Sequence, residues 1–277
     1  MADPGADPRD VLSRRAAAPD LTLSYGDLPD QVADVRLPSG DGPRPLVVVV
    51  HGGFWMAEFD RAHAGAQSVG LVDAGYVVAT VDYRRIGQRG GGWPGTFDDL
   101  AALTDAVPSL VASALPGRVD TTSTVLVGHS AGGHLAAWAA ARHRLPAQSP
   151  WHRDTPLAAT VVSLAGVLDL ERSHKLGLGG HAASRLLGGS PSRRRDRYAL
   201  ADPTALLPTG GRLVAVHGTL DETVPVEISR RYVDRALSAG DQVELLEIDG
   251  CGHYELIDPL SRAWPTVLAA VTTALSR

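Results

Sequence analysis

The sequence contains a single cysteine, Cys251, among its 277 residues, and it has no surplus of positive charge. One cysteine permits no internal disulfide bond and is too few for a cysteine-based zinc site. The net charge of −5 disfavours nucleic acid as a partner, as well as an anionic membrane. The one basic run, Arg193 to Arg195 with Arg197, is typical of a solvated loop.

Long hydrophobic segments are also missing. No window reaches the roughly 18 apolar residues of a membrane-spanning helix, and residues 1–20 lack the apolar stretch of a secretory signal. These two absences predict a cytoplasmic protein with no membrane partner. The same first 20 residues are rich in Asp, Pro, Ala and Arg, and we expect a flexible tail there, with order beginning near Leu21.

Sequence motifs for metals and nucleotides are absent as well. The chain has no HExxH helix, no His/Asp cluster at ligand spacing, no GxGxxG after a strand and no P-loop. We therefore predict no metal and no cofactor, and a small molecule as the partner. The chain could act alone or as a homodimer, because the sequence does not select an oligomeric state.

The rest of the sequence is typical of one α/β domain over residues 21–277. Hydrophobic residues make up 44% and charged residues 21%, which is ordinary for a globular protein. Short β-branched runs alternate with helical patterns, which predicts a mostly parallel central sheet with helices on both faces. The first strand candidate, Gln31 to Leu37, is expected at an edge of the sheet. The further strand candidates are 45–50, 76–81, 124–127, 159–164, 212–216 and 243–248, and the helix candidates are 61–73, 97–111, 134–142, 226–237 and 261–275.

The most specific motif is Gly128-His-Ser130-Ala-Gly132. A GxSxG string arises easily in a chain with 30 glycines, but this one directly follows a predicted strand and precedes a predicted helix. A serine in such a sharp turn needs glycines on both sides, because larger side chains would collide with the adjoining strand or helix. The position therefore predicts that Ser130 is the nucleophile of an acyl-transfer reaction.

A second motif, His51-Gly-Gly-Phe-Trp55, follows the predicted strand 45–50. Such a turn presents backbone N–H groups at the carboxyl edge of the sheet, where an acyl-transfer enzyme needs donors for the developing oxyanion. The candidates are the amides of Gly53, Phe54 and Ala131. The alternative is a plain glycine turn, which requires neither the histidine nor the two aromatic residues.

Two further loops supply a candidate acid and a candidate base. Asp221 follows the predicted strand 212–216, and its alternatives as acid are Glu222, Asp169 and Asp249; Asp221 could instead only cap the next helix. His253 lies after the last predicted strand between small neighbours. The order Ser, Asp, His along the chain differs from the order in chymotrypsin-like and subtilisin-like proteases.

Together these four motifs resemble the α/β-hydrolase superfamily, from about Val35 to the C-terminus. The HGGFW turn is similar to the HGG-aromatic-Trp turn of kynurenine formamidases (arylformamidases) and to the HGGG turn of lipase-like carboxylesterases. Phe54 in place of the third glycine favours the formamidase-like branch. The resemblance implies the α/β-hydrolase fold and a serine hydrolase that cleaves a small carboxylic ester or aryl-formamide through a Ser-His-Asp triad.

The resemblance also suggests where the substrate lies. Residues 171–211 form the longest stretch without a periodic pattern, and we expect them to be a short lid insertion over the carboxyl edge of the sheet. Trp55 and Trp93 are candidates for an aromatic pocket, with packed anchors as the alternative. Three other functions stay open: an acyl-transfer or cyclising enzyme of a biosynthetic pathway, a prolyl-peptidase-like hydrolase, and an inactive binding protein.

Overall fold

A sheet of eight strands forms the centre of the computed structural model, which describes residues 7–276. Across that range, no helix combines the length and the apolar character needed to cross a membrane. The strands are β1 (Leu21–Ser24), β2 (Val32–Arg36), β3 (Arg44–Val50), β4 (Val77–Val81), β5 (Val119–His129), β6 (Thr160–Leu164), β7 (Arg212–Gly218) and β8 (Gln242–Ile248). The helices are α1 (Gly65–Asp73), α2 (Gly95–Ala114), α3 (Ala131–Ala140), α4 (Leu170–Lys175), α5 (Leu178–Leu187), α6 (Arg195–Ala201), α7 (Glu227–Ser238) and α8 (Trp264–Leu275).

The strands follow the order β1-β2-β4-β3-β5-β6-β7-β8 across the sheet. β2 pairs antiparallel with β1 and β4, whereas all pairs from β4 to β8 are parallel. The carboxyl ends of the parallel strands therefore lie along one edge. In open α/β sheets the ligand binds outside this edge, and it is here that the loops after β3, β5, β7 and β8 meet.

The continuous valine run of β3 is buried on both faces of the sheet. Leu46, Val48 and Val50 belong to one hydrophobic cluster together with residues of α2, α3 and α7. Val47 and Val49 belong to a second cluster with residues of α1 and α8. Since both faces are covered by helices, the strand needs apolar side chains at every position rather than at alternate ones.

The predicted strands are all present, but one prediction about their placement is wrong. Gln31 to Leu37 was expected at an edge, and the corresponding β2 instead lies between β1 and β4. The edge strand is β1, whose four residues alternate between half-buried and exposed. So short a strand with an exposed face carries little hydrophobic signal, and β-branched residues are rare in it.

The N-terminal segment also differs from the expected loose tail. A 3-10 helix, Pro8–Leu12, lies against the domain with Val11 only 2% exposed. Arg14 forms an ion pair with Asp258, with 2.9 Å between Nη2 and Oδ2. These two contacts attach residues 7–20 to the body of the protein, while the first six residues lie outside the described range.

The expected lid, residues 171–211, contains helical structure that the sequence pattern does not reveal. It includes α4, α5, α6 and a 3-10 helix, Pro203–Leu206. Gly179, Gly180 and His181 have φ angles of 55°, 65° and 59°, so a left-handed turn interrupts α5 and with it the helical periodicity. The segment packs beside the HGGFW turn, since a Cβ atom on Gly179 would lie 2.7 Å from the Phe54 ring. Its role as a lid stays a prediction.

Candidate active site

Ser130 lies in a strained turn between β5 and α3. Its φ and ψ angles of 54° and −118° belong to a region that side-chain-bearing residues rarely adopt. A Cβ atom on Gly128 would stand 2.2 Å from the carbonyl oxygen of Gly132, and one on Gly132 would stand 2.0 Å from that of Val50. The two glycines of the motif are therefore required sterically, and the turn holds Ser130 at the carboxyl edge of the sheet.

Asp221 and His253 are joined by a short hydrogen bond. The Nδ1–H of His253 donates to Oδ2 of Asp221 at 2.6 Å, and Oδ1 accepts the backbone N–H groups of Thr223 and Val224 at 2.9 and 2.8 Å. Burial opposes ionisation of Asp221, but hydrogen bonds with His217 and His253 outweigh it and hold its pKa well below the ordinary value. An ionised Asp221 fixes the proton of His253 on Nδ1 and leaves Nε2 as an acceptor.

The three alternative acids do not contact His253. Asp169 caps α4 by accepting the N–H of Arg172 at 2.7 Å. Asp249 accepts the hydroxyl of Thr219 at 3.1 Å, and Glu222 is exposed. Of the four acids considered from the sequence, Asp221 is the one that the fold brings to the histidine.

His217 is a residue of this site to which the sequence reasoning gave no role. Its Nε2–H donates to the carbonyl of Val224 at 2.8 Å and lies 3.4 Å from Oδ2 of Asp221. Its Nδ1 accepts from the Ser229 hydroxyl at 2.7 Å, and the ring is fully buried. His217 thus fixes the loop that carries Asp221. The available signal was a histidine at the end of a buried strand, four residues before the candidate acid.

His129 is a second residue that the motif contained but the reasoning did not use. Its Nε2–H donates to the carbonyl oxygen of His253 at 3.2 Å, and the two rings lie 4.5 Å apart. Its Nδ1 would be 3.0 Å from a Cβ atom on Gly52. Burial holds the pKa of His129 well below its ordinary value, so the ring is neutral. It connects the serine turn, the HGGFW turn and the histidine loop.

The three amides proposed for the oxyanion are free of other hydrogen bonds. Within residues 7–276, the N–H groups of Gly53, Phe54 and Ala131 donate to no protein acceptor. Gly53 and Phe54 have φ angles of 103° and 48°, which turn their amides away from regular pairing. Both residues line the same cavity as Ser130. The amides of Gly53 and Phe54 therefore belong to the cavity wall and have no acceptor among the described residues.

Two buried side chains hold the HGGFW turn in this shape. Nδ1–H of His51 donates to the carbonyl of Gly52 at 2.8 Å, and the Tyr83 hydroxyl donates to the carbonyl of His51 at 2.9 Å. The two rings stack with 4.5 Å between their centroids. Burial lowers the pKa of His51 to about 3, while its Nε2 lies 3.1 Å from Oδ1 of the buried Asp82.

A cavity of about 60 Å³ opens beside Ser130 and His253. The Ser130 hydroxyl forms no hydrogen bond with His253 or with any other described residue, and this contact often tightens only when substrate is bound. The wall combines residues from distant parts of the chain, including the N-terminal 3-10 helix, α1 and the loop after β8. They are Leu12, His51, Gly52, Gly53, Phe54, Phe59, His63, Ala64, Gln67, His129, Ser130, Thr223, His253, Tyr254 and Ile257.

Neither Trp55 nor Trp93, the two tryptophans predicted for an aromatic pocket, lines this cavity. Trp55 is fully buried and packs edge-on against His134, with 5.2 Å between the ring centroids. Trp93 packs in the same manner against Trp151 at 4.9 Å. Trp55 is a packed anchor, because burying its large apolar surface is favourable, whereas Trp93 is half-buried and packs against the edge of the core. The neighbouring Phe54 of the HGGFW turn does line the cavity.

Comparisons with known proteins agree with this arrangement. The model of the BD-FAE family matches residues 33–235. An isoprenylcysteine alpha-carbonyl methylesterase of Arabidopsis thaliana is 29% identical over 259 residues, which cover 86% of this chain and 58% of that protein. Esterase LipC of Mycobacterium tuberculosis is 30% identical, with 88% and 62% covered, and a kynurenine formamidase of Danio rerio is 27% identical, with 87% and 76% covered. The chain thus spans about three fifths of the length of the first two relatives.

Solved structures share the fold at low sequence identity. A truncated carbohydrate esterase from gut microbiota superposes with a TM-score of 0.79 at 20% identity, over 94% of this chain and all of the other. A thermophilic esterase of Thermogutta terrifontis with bound propionate gives a TM-score of 0.67 at 22% identity, over 92% and 91% of the two chains. These similarities confirm the predicted α/β-hydrolase fold.

Proposed function

The chain belongs to the BD-FAE family, and we propose that it is a serine hydrolase that cleaves small carboxylic esters. In this proposal Ser130 is the nucleophile, His253 the general base and Asp221 the acid that orients it. One observation carries the proposal: the strained serine and the Asp221–His253 hydrogen bond meet at one cavity, whose wall also presents free amides. The names of the relatives, a methylesterase and an esterase, support the same reaction class.

The proposed reaction has two halves, acylation of Ser130 and hydrolysis of the acyl-enzyme, and both use the same groups. His253 Nε2 takes the proton of the Ser130 hydroxyl as Oγ bonds to the acyl carbon, and the amides of Gly53, Phe54 and Ala131 stabilise the oxyanion. His253 then gives the proton to the leaving alcohol, and an acyl-enzyme remains. Water then attacks the acyl carbon and gives a proton to His253. The bond between the acyl carbon and Oγ breaks, His253 returns the proton to Ser130, and the free acid leaves. Asp221 stays ionised throughout and stabilises the transient imidazolium.

The cavity size favours a short acyl group. Its volume is about 60 Å³, whereas a protein cavity of roughly 150 Å³ accommodates a benzene ring. An aromatic or long aliphatic acyl chain would therefore require the wall to move. We infer that the acyl group has only a few heavy atoms and that the larger part of the substrate is the leaving group.

Aryl-formamides are the second candidate substrates, because formyl is the smallest acyl group and the HGGFW turn resembles the HGG-aromatic-Trp turn of formamidases. The chain also covers 76% of the kynurenine formamidase of Danio rerio. Hydrolysis of a formamide would use the same atoms, with an arylamine as leaving group. Transfer of the acyl group to another acceptor would change only the second half of the reaction.

The test compares kcat/KM for p-nitrophenyl acetate and N-formyl-L-kynurenine in the wild type, Ser130→Ala and Ser163→Ala. Ser163 is a matched control because its hydroxyl is fully buried, has no hydrogen-bond partner within residues 7–276 and does not line the cavity. We expect Ser130→Ala to lose at least about a thousandfold and Ser163→Ala to keep full activity. Preference for the formamide would assign the second substrate class. Full activity of Ser130→Ala would contradict the proposal.

Acyl transfer is tested in the same assay. The wild type is incubated with the ester and an added alcohol or amine, and the products are separated. Release of free acid alone supports hydrolysis, whereas a product that contains both the acyl group and the acceptor supports the transferase alternative.

A further inference from the structure

Gln67 is a buried polar residue in the wall of the cavity beside Ser130. It lies on α1 and is 1% exposed. Neither its amide nitrogen nor its carbonyl oxygen has a hydrogen-bond partner in the part of the chain that the structure describes. Because an unpaired buried amide is unfavourable, nearly all such groups in folded proteins have a partner. The hydrolysis mechanism does not use Gln67.

The next residue shows that α1 does satisfy its other buried polar group. The Ser68 hydroxyl donates to the carbonyl of Ala64 at 2.8 Å and lies 2.7 Å from the Thr80 hydroxyl. Gln67 has no such contact, although His63 and Ala64, one helical turn earlier, line the cavity with it. Gln67 thus belongs to the cavity wall, and its amide is the buried polar group of α1 that has no hydrogen-bond partner among the described residues.

The other groups in the wall indicate which ligand chemistry fits Gln67. Among the described residues that line the cavity there is no Lys, Arg, Asp or Glu. Burial keeps His51 and His129 neutral by lowering their pKa values. A charged acyl group would find no Lys, Arg, Asp or Glu of opposite charge among these residues, and burying a charge without such a partner is unfavourable. A primary amide both donates and accepts hydrogen bonds, so its matching partner is an uncharged group such as a hydroxyl.

We propose that Gln67 selects short acyl groups that carry an uncharged hydrogen-bonding substituent, with a hydroxyl as the best match. This inference rests on the proposed ester hydrolysis and specifies its acyl specificity. Apolar residues of the wall, among them Leu12, Phe59 and Ile257, contact the rest of the acyl group. Gln67 forms no bond to the reacting atoms and acts on specificity alone.

The experiment compares p-nitrophenyl hydroxyacetate with p-nitrophenyl propionate, which differ by a hydroxyl in place of a methyl group. The ratio of their kcat/KM values is measured in the wild type, Gln67→Met and Gln67→Leu. Both substitutions remove the amide at similar volume, so one can replace the other if either folds poorly. Intrinsic differences in ester reactivity cancel when the ratios are compared. We expect the ratio to fall about tenfold in the variants, as the loss of one or two hydrogen bonds would cause.

Ala64→Val is the control, because it narrows the same cavity without changing a polar group. It should lower kcat/KM for both esters and leave their ratio unchanged. An unchanged ratio in Gln67→Met and Gln67→Leu, with both esters cleaved and activity lost in Ser130→Ala, would overturn the role of Gln67 alone. Failure of the wild type to cleave either ester would overturn the proposed hydrolysis and this inference together.

Discussion

His129 Nε2 lies 3.2 Å from the carbonyl oxygen of His253, so the residue before Ser130 is bonded to the main chain of the proposed base. This contact sets the position of the histidine loop relative to the serine. We predict that His129→Phe, which keeps a ring and removes the donor, lowers kcat/KM about tenfold, because the imidazole is then held less accurately. The measurement is steady-state ester hydrolysis together with a thermal unfolding curve.

The matched control is His134→Phe. His134 is also a fully buried histidine; its Nε2–H donates to the carbonyl of Ala201 at 2.9 Å, and it does not line the cavity. Its replacement should lower the melting temperature and leave kcat/KM of the folded enzyme unchanged. Equal losses of activity in the two variants would show that His129 acts through general stability only.

Asp221→Asn tests the orienting acid. The carboxylate accepts from His253 and from two backbone amides, and an asparagine would favour the wrong tautomer of His253. We expect kcat to fall by up to about 10⁴, the effect of this change in a comparable triad. Glu222→Gln, at the exposed neighbouring position, is the control and should keep wild-type kcat. A loss below about tenfold in Asp221→Asn would exclude Asp221 from this role.

Three buried neutral histidines predict how stability depends on pH. Burial lowers the pKa of His51 to about 3 and that of His134 to about 4, and it holds the pKa of His129 well below the ordinary 6.5. Below pH 6.5 the unfolded chain therefore binds more protons at these residues than the folded protein does. Their contribution to stability is complete above pH 6.5 and is lost progressively as the pH falls.

Asp202 acts in the opposite direction. Burial, and then the charge of Asp169, raise its pKa to about 7, so between pH 7 and 4 the folded protein holds a proton that the unfolded chain lacks. With the three histidines and Asp202 together, the unfolded chain binds roughly two more protons than the folded protein between pH 6 and 5. The free energy of unfolding should therefore drop by about 2–3 kcal/mol as the pH falls from 6 to 5. Urea titrations at several pH values measure this slope. In His134→Phe the slope of the unfolding free energy against pH should decrease by about 1 kcal/mol per pH unit. An unchanged slope would contradict the lowered pKa of His134.

Gly132→Ala tests the steric account of the serine turn. A Cβ atom at this position would lie 2.0 Å from the carbonyl oxygen of Val50, so the backbone must shift. We predict a loss of about 1–3 kcal/mol in the free energy of unfolding and the loss of most ester hydrolysis. Gly211→Ala is the control, because its nearest atom would be 3.7 Å away, and both properties should change little. A fully active Gly132→Ala would refute the requirement for glycine.

Much of the fold follows from local patterns in the sequence. The valine run of β3 predicts a strand buried on both faces, and the motifs after β3, β5, β7 and β8 meet because parallel strands end at one edge. Asp221 and His253 could be paired from their order along the chain. In contrast, β1 and α5 were missed, since one is short and half-exposed and the other is interrupted by left-handed glycines.

The cavity wall is the part that sequence reasoning predicts least well. Leu12 and Ile257 lie 245 positions apart in the chain and meet at the cavity, and no local pattern reports that distance. Trp55 shows the same limit for a single residue. Its neighbours in sequence do not distinguish a tryptophan that is buried in the core from one that lines the active-site cavity. Gln67 gave no signal, since a glutamine on a helix is ordinarily exposed.

The most direct test of the central claim is to label the full chain with a fluorophosphonate and locate the adduct by peptide mass spectrometry. The account predicts one label per chain, on Ser130, with loss of ester hydrolysis in proportion to labelling. It also predicts no label in Ser130→Ala and slower labelling in Asp221→Asn. An adduct on another serine, or ester hydrolysis that persists in the fully labelled protein, would contradict the account.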